Sequence, residues 1–207
     1  VPFTSIFMGV LLPAGEALVQ PGLAVDPIRP LMMFFSSIPW LLAAGMLGPA
    51  YATVLGLFAG FIRAYFHTHH IFTPILFSFL AILASLCFRQ NFRSAFFRLL
   101  RRPLVAIFPV FLAFTGLHIL FTSLSTSGEL VSRLDYSISI FPGFLIAQFA
   151  ELLIAAIVAE SLRKLMPSAW VNEGQLQPSP TEKSLQTRFL LHMSPLALIL
   201  IIAMIAG

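Results

Sequence analysis

Long apolar segments, separated by short polar or proline-containing stretches, recur from one end of the chain to the other. An apolar helix of about 20 residues crosses about 30 Å of hydrocarbon. The pattern therefore predicts an all-α integral membrane protein. We place its membrane spans at about residues 3–20, 31–46, 48–65, 75–88, 103–121, 138–162 and 188–207.

These spans divide the chain into three predicted parts. Residues 1–166 contain six spans and form the predicted membrane domain. Residues 167–187 are polar, contain prolines and form a predicted cytoplasmic linker. Residues 188–207 form a predicted seventh transmembrane helix, which we expect to lead to further domains.

Residues 90–102, between the fourth and fifth spans, place arginines around apolar residues at helical spacing. This pattern is typical of an amphipathic helix that lies on the inner membrane surface. Anionic lipid headgroups are the expected partners of the arginines in the range Arg89–Arg102. The run lacks the aromatic pattern of a nucleic-acid site, so we expect no nucleic-acid partner.

The composition agrees with a protein whose solvent is the lipid bilayer. Hydrophobic residues make up 58% of the chain and charged residues only 10%. A soluble domain carries about 25% charged residues. The mean hydropathy is +0.94, and we therefore expect the bilayer itself to be a partner.

The distribution of lysine and arginine predicts the orientation, because cytoplasmic loops carry an excess of these residues. With the N-terminus inside, only Arg29, Arg63 and Arg133 fall on the outer side. The other basic residues then lie inside: Arg89, Arg93, Arg98, Arg101, Arg102, Arg163, Lys164, Lys183 and Arg188. The basic residues that give the formal net charge of +4 are therefore accounted for by the orientation in the membrane.

Small residues recur every fourth position in the third predicted span, at Gly48, Ala52, Gly56 and Gly60. Such a row lies along one face of a helix and allows a neighbouring helix to approach closely in a membrane. We interpret it as a face for helix packing.

A few ionisable or strongly polar side chains fall within the predicted spans. Such groups are costly in hydrocarbon, so they usually face a cavity or a partner. They are Glu16, Arg63, His118, Gln148 and Glu151. Gln148 and Glu151 are three residues apart and share a face of their helix. They either contact a ligand or serve a structural role, in which Glu151 bonds to a neighbouring helix or pairs with a buried cation.

Three histidines, His67, His69 and His70, follow the third span within a predicted outer turn. Imidazoles bind zinc, nickel or copper, but no cysteine or acidic residue nearby in the sequence completes a ligand set. A solvated turn is the second interpretation. A pH-sensing role is the third, because an unperturbed histidine titrates near pH 6.5. We predict no bound metal and no cofactor.

Motifs for hydrolysis, phosphoryl transfer and dinucleotide binding are missing from the sequence. It contains no Walker A motif, no glycine-rich dinucleotide fingerprint, no GxSxG and no HExxH. The single Cys87 lies in an apolar segment and excludes a disulfide framework. We therefore expect this region to be non-catalytic.

The run LGPAYATVLGLFAGFIRA resembles a "GP-small-xx-G" helix found in two related groups of bacterial membrane domains. One group comprises the substrate-binding S components of energy-coupling-factor transporters. The other comprises the multi-helix sensory regions of signalling receptors, of the LytS-like and MASE types. The resemblance covers about residues 3–166 and implies a six-helix bundle in the bacterial inner membrane.

Two features favour the sensory group. The segment from Pro178 to Gly207 is similar to the junction at which such receptors continue into a further transmembrane helix. In addition, Pro13 and Glu16 disturb the Ala-xxx-Ala face that S components use in their first helix. The resemblance thus implies an input domain of a receptor that acts as a homodimer. A vitamin- or metal-uptake S component is the alternative.

The resemblance also implies a pocket near the outer face for a small ligand of unknown identity. Its predicted ligand-binding residues are Glu151, Gln148, Arg63, Glu16, Asp26 and Arg29. The histidine turn would lie beside them.

Overall fold

A computed structural model describes residues 9–11, 30–170 and 176–179 of the chain. The predicted first span at residues 3–20, apart from residues 9–11, and the predicted seventh helix at residues 188–207 lie outside the described residues. Most of the linker at residues 167–187 lies outside them as well.

The described chain is mostly helical, as predicted. Its helices are α1 (Ile38–Met46), α2 (Pro49–Arg63), a π-helix (Ala64–Thr68), α3 (Thr73–Arg89), α4 (Ala95–Leu100), α5 (Pro103–Ser125) and α6 (Leu130–Leu165). Two short strands, β1 (Gly9–Leu11) and β2 (Leu31–Met33), pair in antiparallel fashion. The all-α class is therefore wrong in this detail.

The second predicted span, residues 31–46, is also wrong in extent. Its first residues belong to β2, and the helix begins only at Ile38, with Pro39 in its first turn. Proline is well tolerated there because the first helical N–H groups have no intrahelical partner. With nine residues, α1 is only about 14 Å long and does not cross a bilayer alone.

Three helices are long and apolar enough to cross a membrane, judged by length and composition: Pro49–Thr68, Pro103–Ser125 and Leu130–Leu165. A shorter apolar helix runs from Thr73 to Arg89. The last long helix begins eight residues before the predicted span at residue 138, so it includes part of the stretch between two predicted spans. Leu130, Val131 and Leu134 give that stretch apolar positions at helical spacing.

The surface differs from that of a soluble protein, although the core is apolar in both. Arg63, Gln148 and Glu151 are buried, whereas many large apolar side chains are exposed, among them Phe58 and Leu112. An exposed apolar surface of this extent is costly in water and favourable against lipid. The surface and the three long helices together support a membrane protein.

The row of small residues packs α2 against α3, as predicted. A Cβ atom on Gly56 would lie 2.7 Å from the carbonyl oxygen of Phe77. A Cβ atom on Gly60 would lie 2.5 Å from the Cα atom of Pro74. Both neighbours are backbone atoms, so the two helices approach each other closely only because these positions lack side chains.

The Gly60→Ala substitution is therefore expected to destabilise the protein, because α2 and α3 must move apart to admit the methyl group. Overpacking of this kind costs about 1–3 kcal/mol. The thiol of Cys87, the only cysteine and buried at α3, allows the loss to be followed as earlier thiol labelling during thermal unfolding in detergent. Gly116→Ala is the matched control, since a Cβ atom there meets nothing within 4 Å. Equal stability of the two variants would contradict the packing role.

The chain divides into two compact units: Val1–Gln90 with Leu99–Asn172, and Asn91–Arg98 with Glu173–Gly207. In the second unit, a parallel bridge joins Phe92 to Gln177. Phe92 is therefore extended rather than helical, and the amphipathic helix predicted for residues 90–102 covers only Ala95–Leu100. Its Phe96 side chain is exposed.

Candidate functional site

Residues from two helices and one strand meet inside the first unit. Arg63 is the last residue of α2, and Gln148 and Glu151 lie on adjacent turns of α6. Their side chains are almost completely buried, with relative exposures of 4%, 2% and 0%. Strand β2 supplies backbone groups to the same cluster.

The guanidinium of Arg63 faces the carboxylate of Glu151 in a two-pronged ion pair. Nη2 donates to Oε1 at 2.5 Å, and Nη1 donates to Oε2 at 2.9 Å. Nη1 also donates to Oε1 of Gln148 at 3.1 Å, and Nη2 donates to the carbonyl oxygen of Leu31 at 3.1 Å. All four terminal N–H groups of the arginine therefore have acceptors.

The carboxylate of Glu151 accepts two further hydrogen bonds from the segment that contains β2. The backbone N–H of Met33 donates to Oε1 at 2.7 Å, and the hydroxyl of Ser36 donates to Oε2 at 3.4 Å. The ion pair thus links α2, β2 and α6. Such a pair tolerates burial because its remaining hydrogen-bonding capacity is also satisfied.

The ring of Phe77 on α3 adds a further contact to Arg63. The guanidinium carbon lies 5.2 Å from the centre of this ring. A cation at this distance from an aromatic face is attracted by the ring quadrupole, more strongly when water is excluded. The cluster therefore also includes α3.

A cavity of about 30 Å³ lies beside the ion pair. A water molecule needs roughly 10–15 Å³ by this measure, so the cavity has room for about two water-sized groups. Its walls are mostly aromatic and come from α2, the π-helix, α3, α5 and α6. They include Arg63, Thr68, His70, Phe72, Thr73, Phe77, Phe114, His118, Phe121, Phe144 and Gln148.

The amide of Gln148 has a defined orientation in this wall. Its oxygen must face Arg63, because arginine only donates hydrogen bonds. The nitrogen Nε2 is then a donor, and it is buried without a partner among the described residues. An unpaired buried donor costs about 1–3 kcal/mol, so this group favours a ligand or a water molecule that accepts its hydrogen bond.

Two imidazoles in the same wall also carry buried nitrogen atoms without partners in the described part of the chain. They are Nε2 of His118 and Nδ1 of His70. The His118 ring packs between Phe114 and Phe144, at centroid distances of 5.0 and 5.1 Å. The cavity therefore combines apolar walls with three unpaired nitrogen atoms, a composition typical of small-ligand sites.

The three histidines lie at and just after the π-helix that follows Arg63. His67 is in this helix, and His69, the residue directly after it, has the left-handed conformation at φ 53°. Burial, together with the smaller effect of the neighbouring His69, lowers the pKa of His70 to about 4. His70 is therefore neutral at pH 7, whereas His69 is exposed to solvent. Within residues 9–11, 30–170 and 176–179, no group of three or more His, Cys, Asp or Glu side chains is arranged to hold a metal ion.

The structure brings together three of the six predicted ligand residues: Arg63, Gln148 and Glu151. Glu16, Asp26 and Arg29 lie outside the described residues. Glu151 pairs with a buried cation, Arg63, which is the structural role that the sequence left open. A direct role of Glu151 in ligand binding stays a prediction. Arg63 was expected at the end of its span with a cavity or a partner, and its side chain is buried at the last residue of α2.

Sequence reasoning missed the backbone groups of Leu31 and Met33 and the hydroxyl of Ser36. They belonged to a predicted helix, in which the two backbone groups would be engaged in intrahelical hydrogen bonds. His118 was noted only as an intramembrane residue, and Phe144 was not singled out. Comparisons of this chain with known family models, curated proteins and solved structures find no match.

Proposed function

We propose that this chain is the membrane-embedded sensory domain of a bacterial signalling receptor, located in the inner membrane with its N-terminus inside. The observation that carries the proposal is the unpaired Nε2 donor of Gln148, which lines a small cavity and is bound through its oxygen to the Arg63–Glu151 pair. The resemblance of residues 47–64 to sensory membrane domains supports the same class.

The proposed stimulus is a small molecule with a hydrogen-bond acceptor, bound in this cavity. When it accepts a hydrogen bond from Gln148, it changes the position of an amide that also holds Arg63. That arginine connects α2, β2 and α6, so a shift at the amide alters the packing of all three. A ligand shifts the two packings only by its difference in affinity between them.

Helix α6 is the proposed route from the cavity to the rest of the receptor. It continues without interruption from Gln148 to Leu165, a distance of about 26 Å at 1.5 Å per residue. A rigid helix of this length transmits a displacement at one end to the chain that follows its other end. In the proposal, that chain leads to a signalling module, and the receptor works as a homodimer.

The first test is the reading frame that follows Gly207 in the parent gene. A kinase, cyclase or phosphatase domain there is the expected finding. A stop codon next to a gene for a transport ATPase would instead favour an S-component-like subunit. Either outcome assigns the membrane domain to one of the two classes.

In the full receptor, Gln148→Met is expected to abolish or shift the response to the stimulus. Methionine keeps the volume but has no N–H donor, and Arg63 keeps both of its bonds to Glu151. The measurement is the kinase, cyclase or phosphatase output over a series of stimulus strengths, together with the amount of protein in the membrane. Thr115→Val is the matched control, because Thr115 lies one turn from His118 but does not line the cavity. An unchanged response in Gln148→Met would remove the cavity from the mechanism.

A further inference from the structure

A second cavity, of about 470 Å³, lies where α5 begins and α6 ends. It is about 22 Å along α6 from Gln148, since 15 residues separate Gln148 from Arg163. We call it the basic groove. Its lining residues are Arg102, Glu160, Arg163, Lys164, Pro167 and Trp170.

The basic groove has a positive net charge. Among the described residues that line the groove, the only carboxylate is that of Glu160, and it is paired with Arg163, with 3.4 Å between Oε1 and Nη1. Within the described part of the chain, Arg102 and Lys164 form no ion pair. The start of the 23-residue helix α5 adds the positive end of a helix dipole beside Arg102. A phosphate group is the chemical class that this combination favours.

Apolar side chains flank the same cations. Leu165 and Met166 follow Lys164 directly and are 77% and 51% exposed, and Leu104 lies two residues after Arg102 and is exposed as well. A soluble phosphate compound has no apolar part that would contact these exposed side chains. A phospholipid does, because its charged headgroup lies next to its acyl chains.

We propose that the basic groove binds one anionic phospholipid, with its phosphate at Arg102, Arg163 and Lys164 and its acyl chains against Leu104, Leu165 and Met166. This site differs from the diffuse contact expected along Arg89–Arg102, because it is concave and includes the end of α6. It is also independent of the sensory proposal, since it requires only that the chain lies in a membrane.

The wall of the groove gives the bound lipid a structural consequence. The indole of Trp170 lines the groove and at the same time packs on Gly45 of α1 and on Phe88 of α3. The lipid therefore holds the chain immediately after α6 in its packed position. Binding is expected to stabilise the fold, because a ligand that binds only the native state shifts unfolding to higher temperature.

The test uses the full 207-residue chain, purified in a neutral detergent. Phosphatidylglycerol, phosphatidylcholine and inorganic phosphate are added separately, and thermal unfolding and lipid retention in native mass spectrometry are measured. We expect retention and a raised unfolding midpoint with phosphatidylglycerol alone. An equal effect of inorganic phosphate would show a site for soluble phosphate and overturn the lipid proposal, as would an equal effect of phosphatidylcholine.

The variant R163Q/K164Q is expected to weaken phosphatidylglycerol retention by roughly thirtyfold, because each of the two basic residues contributes about 1 kcal/mol near an anionic lipid. R93Q/R98Q removes the same number of charges outside the groove and serves as the matched control. Equal losses in the two variants would reveal diffuse attraction and overturn the groove. Should R163Q/K164Q be unstable without lipid, R102Q is measured in its place and is expected to weaken retention as well.

Discussion

Replacing Glu151 with alanine is expected to lower the free energy of unfolding in detergent by about 3–5 kcal/mol. The substitution leaves the guanidinium of Arg63 buried without its counter-ion, and it also removes the acceptor for the N–H of Met33. A charge that loses its partner in a low-dielectric interior costs more than the pair itself contributes.

Thermal and denaturant unfolding of the variants, followed by the reactivity of Cys87, measures this loss. Glu160→Ala is the matched control, because Glu160 also pairs with an arginine but at the partly exposed end of α6. A pair three residues apart on one helix contributes about 0.2–0.5 kcal/mol, so the loss in Glu160→Ala is expected to be smaller than that in Glu151→Ala. If Glu151→Ala were as mild as Glu160→Ala, the buried pair would have no structural role.

The double variant Arg63→Met with Glu151→Leu distinguishes a structural from a functional role of the pair. Apolar residues of similar size often replace a buried ion pair without loss of stability. We expect the double variant to recover most of the stability that Glu151→Ala loses. In the proposed receptor it is expected to stay insensitive to the stimulus, because Gln148 no longer holds Arg63.

The parts of this cluster differ in how far the sequence reveals them. Gln148 and Glu151 were recognisable because polar groups are rare in spans and these two share a helix face. Their partner was not, since 88 residues separate Arg63 from Glu151 and only the folded chain brings them together. The alternative of a buried cation was open from the sequence, but nothing in the pattern identified which cation.

The main error concerns residues 31–46, where an apolar run indicated a helix. A short apolar run fits a strand as well as a buried helix. Here β2 is accommodated because its backbone groups find partners in β1, and those of Leu31 and Met33 also in Arg63 and Glu151. Periodicity cannot show such long-range partners. The glycine row, in contrast, was predicted correctly, because close packing there depends only on side-chain size at each position.

A second prediction concerns the chain after α6, where the sequence showed only the start of a polar linker. Trp170 is 93% buried, since its relative exposure is 7%, and its indole occupies the space beside Gly45 on α1. Trp170→Ala is expected to cost about 3–5 kcal/mol, the usual range for losing a buried large aromatic side chain. The loss is expected to free the end of α6 from α1.

A double-mutant cycle with Gly45 tests this contact directly. In the native protein, Gly45→Ala is expected to destabilise, because its Cβ atom would overlap the indole ring of Trp170. In the Trp170→Ala background the same substitution is expected to stabilise by up to about 1 kcal/mol, since alanine favours a helix over glycine and the space is now empty. The effect of the added methyl group is therefore expected to change sign with the residue at position 170. Two sites without contact would show the same effect of Gly45→Ala in both backgrounds. Equal effects of Gly45→Ala in both backgrounds would show that the indole does not pack on α1. The conclusion that Trp170 holds the chain after α6 in place would then be wrong.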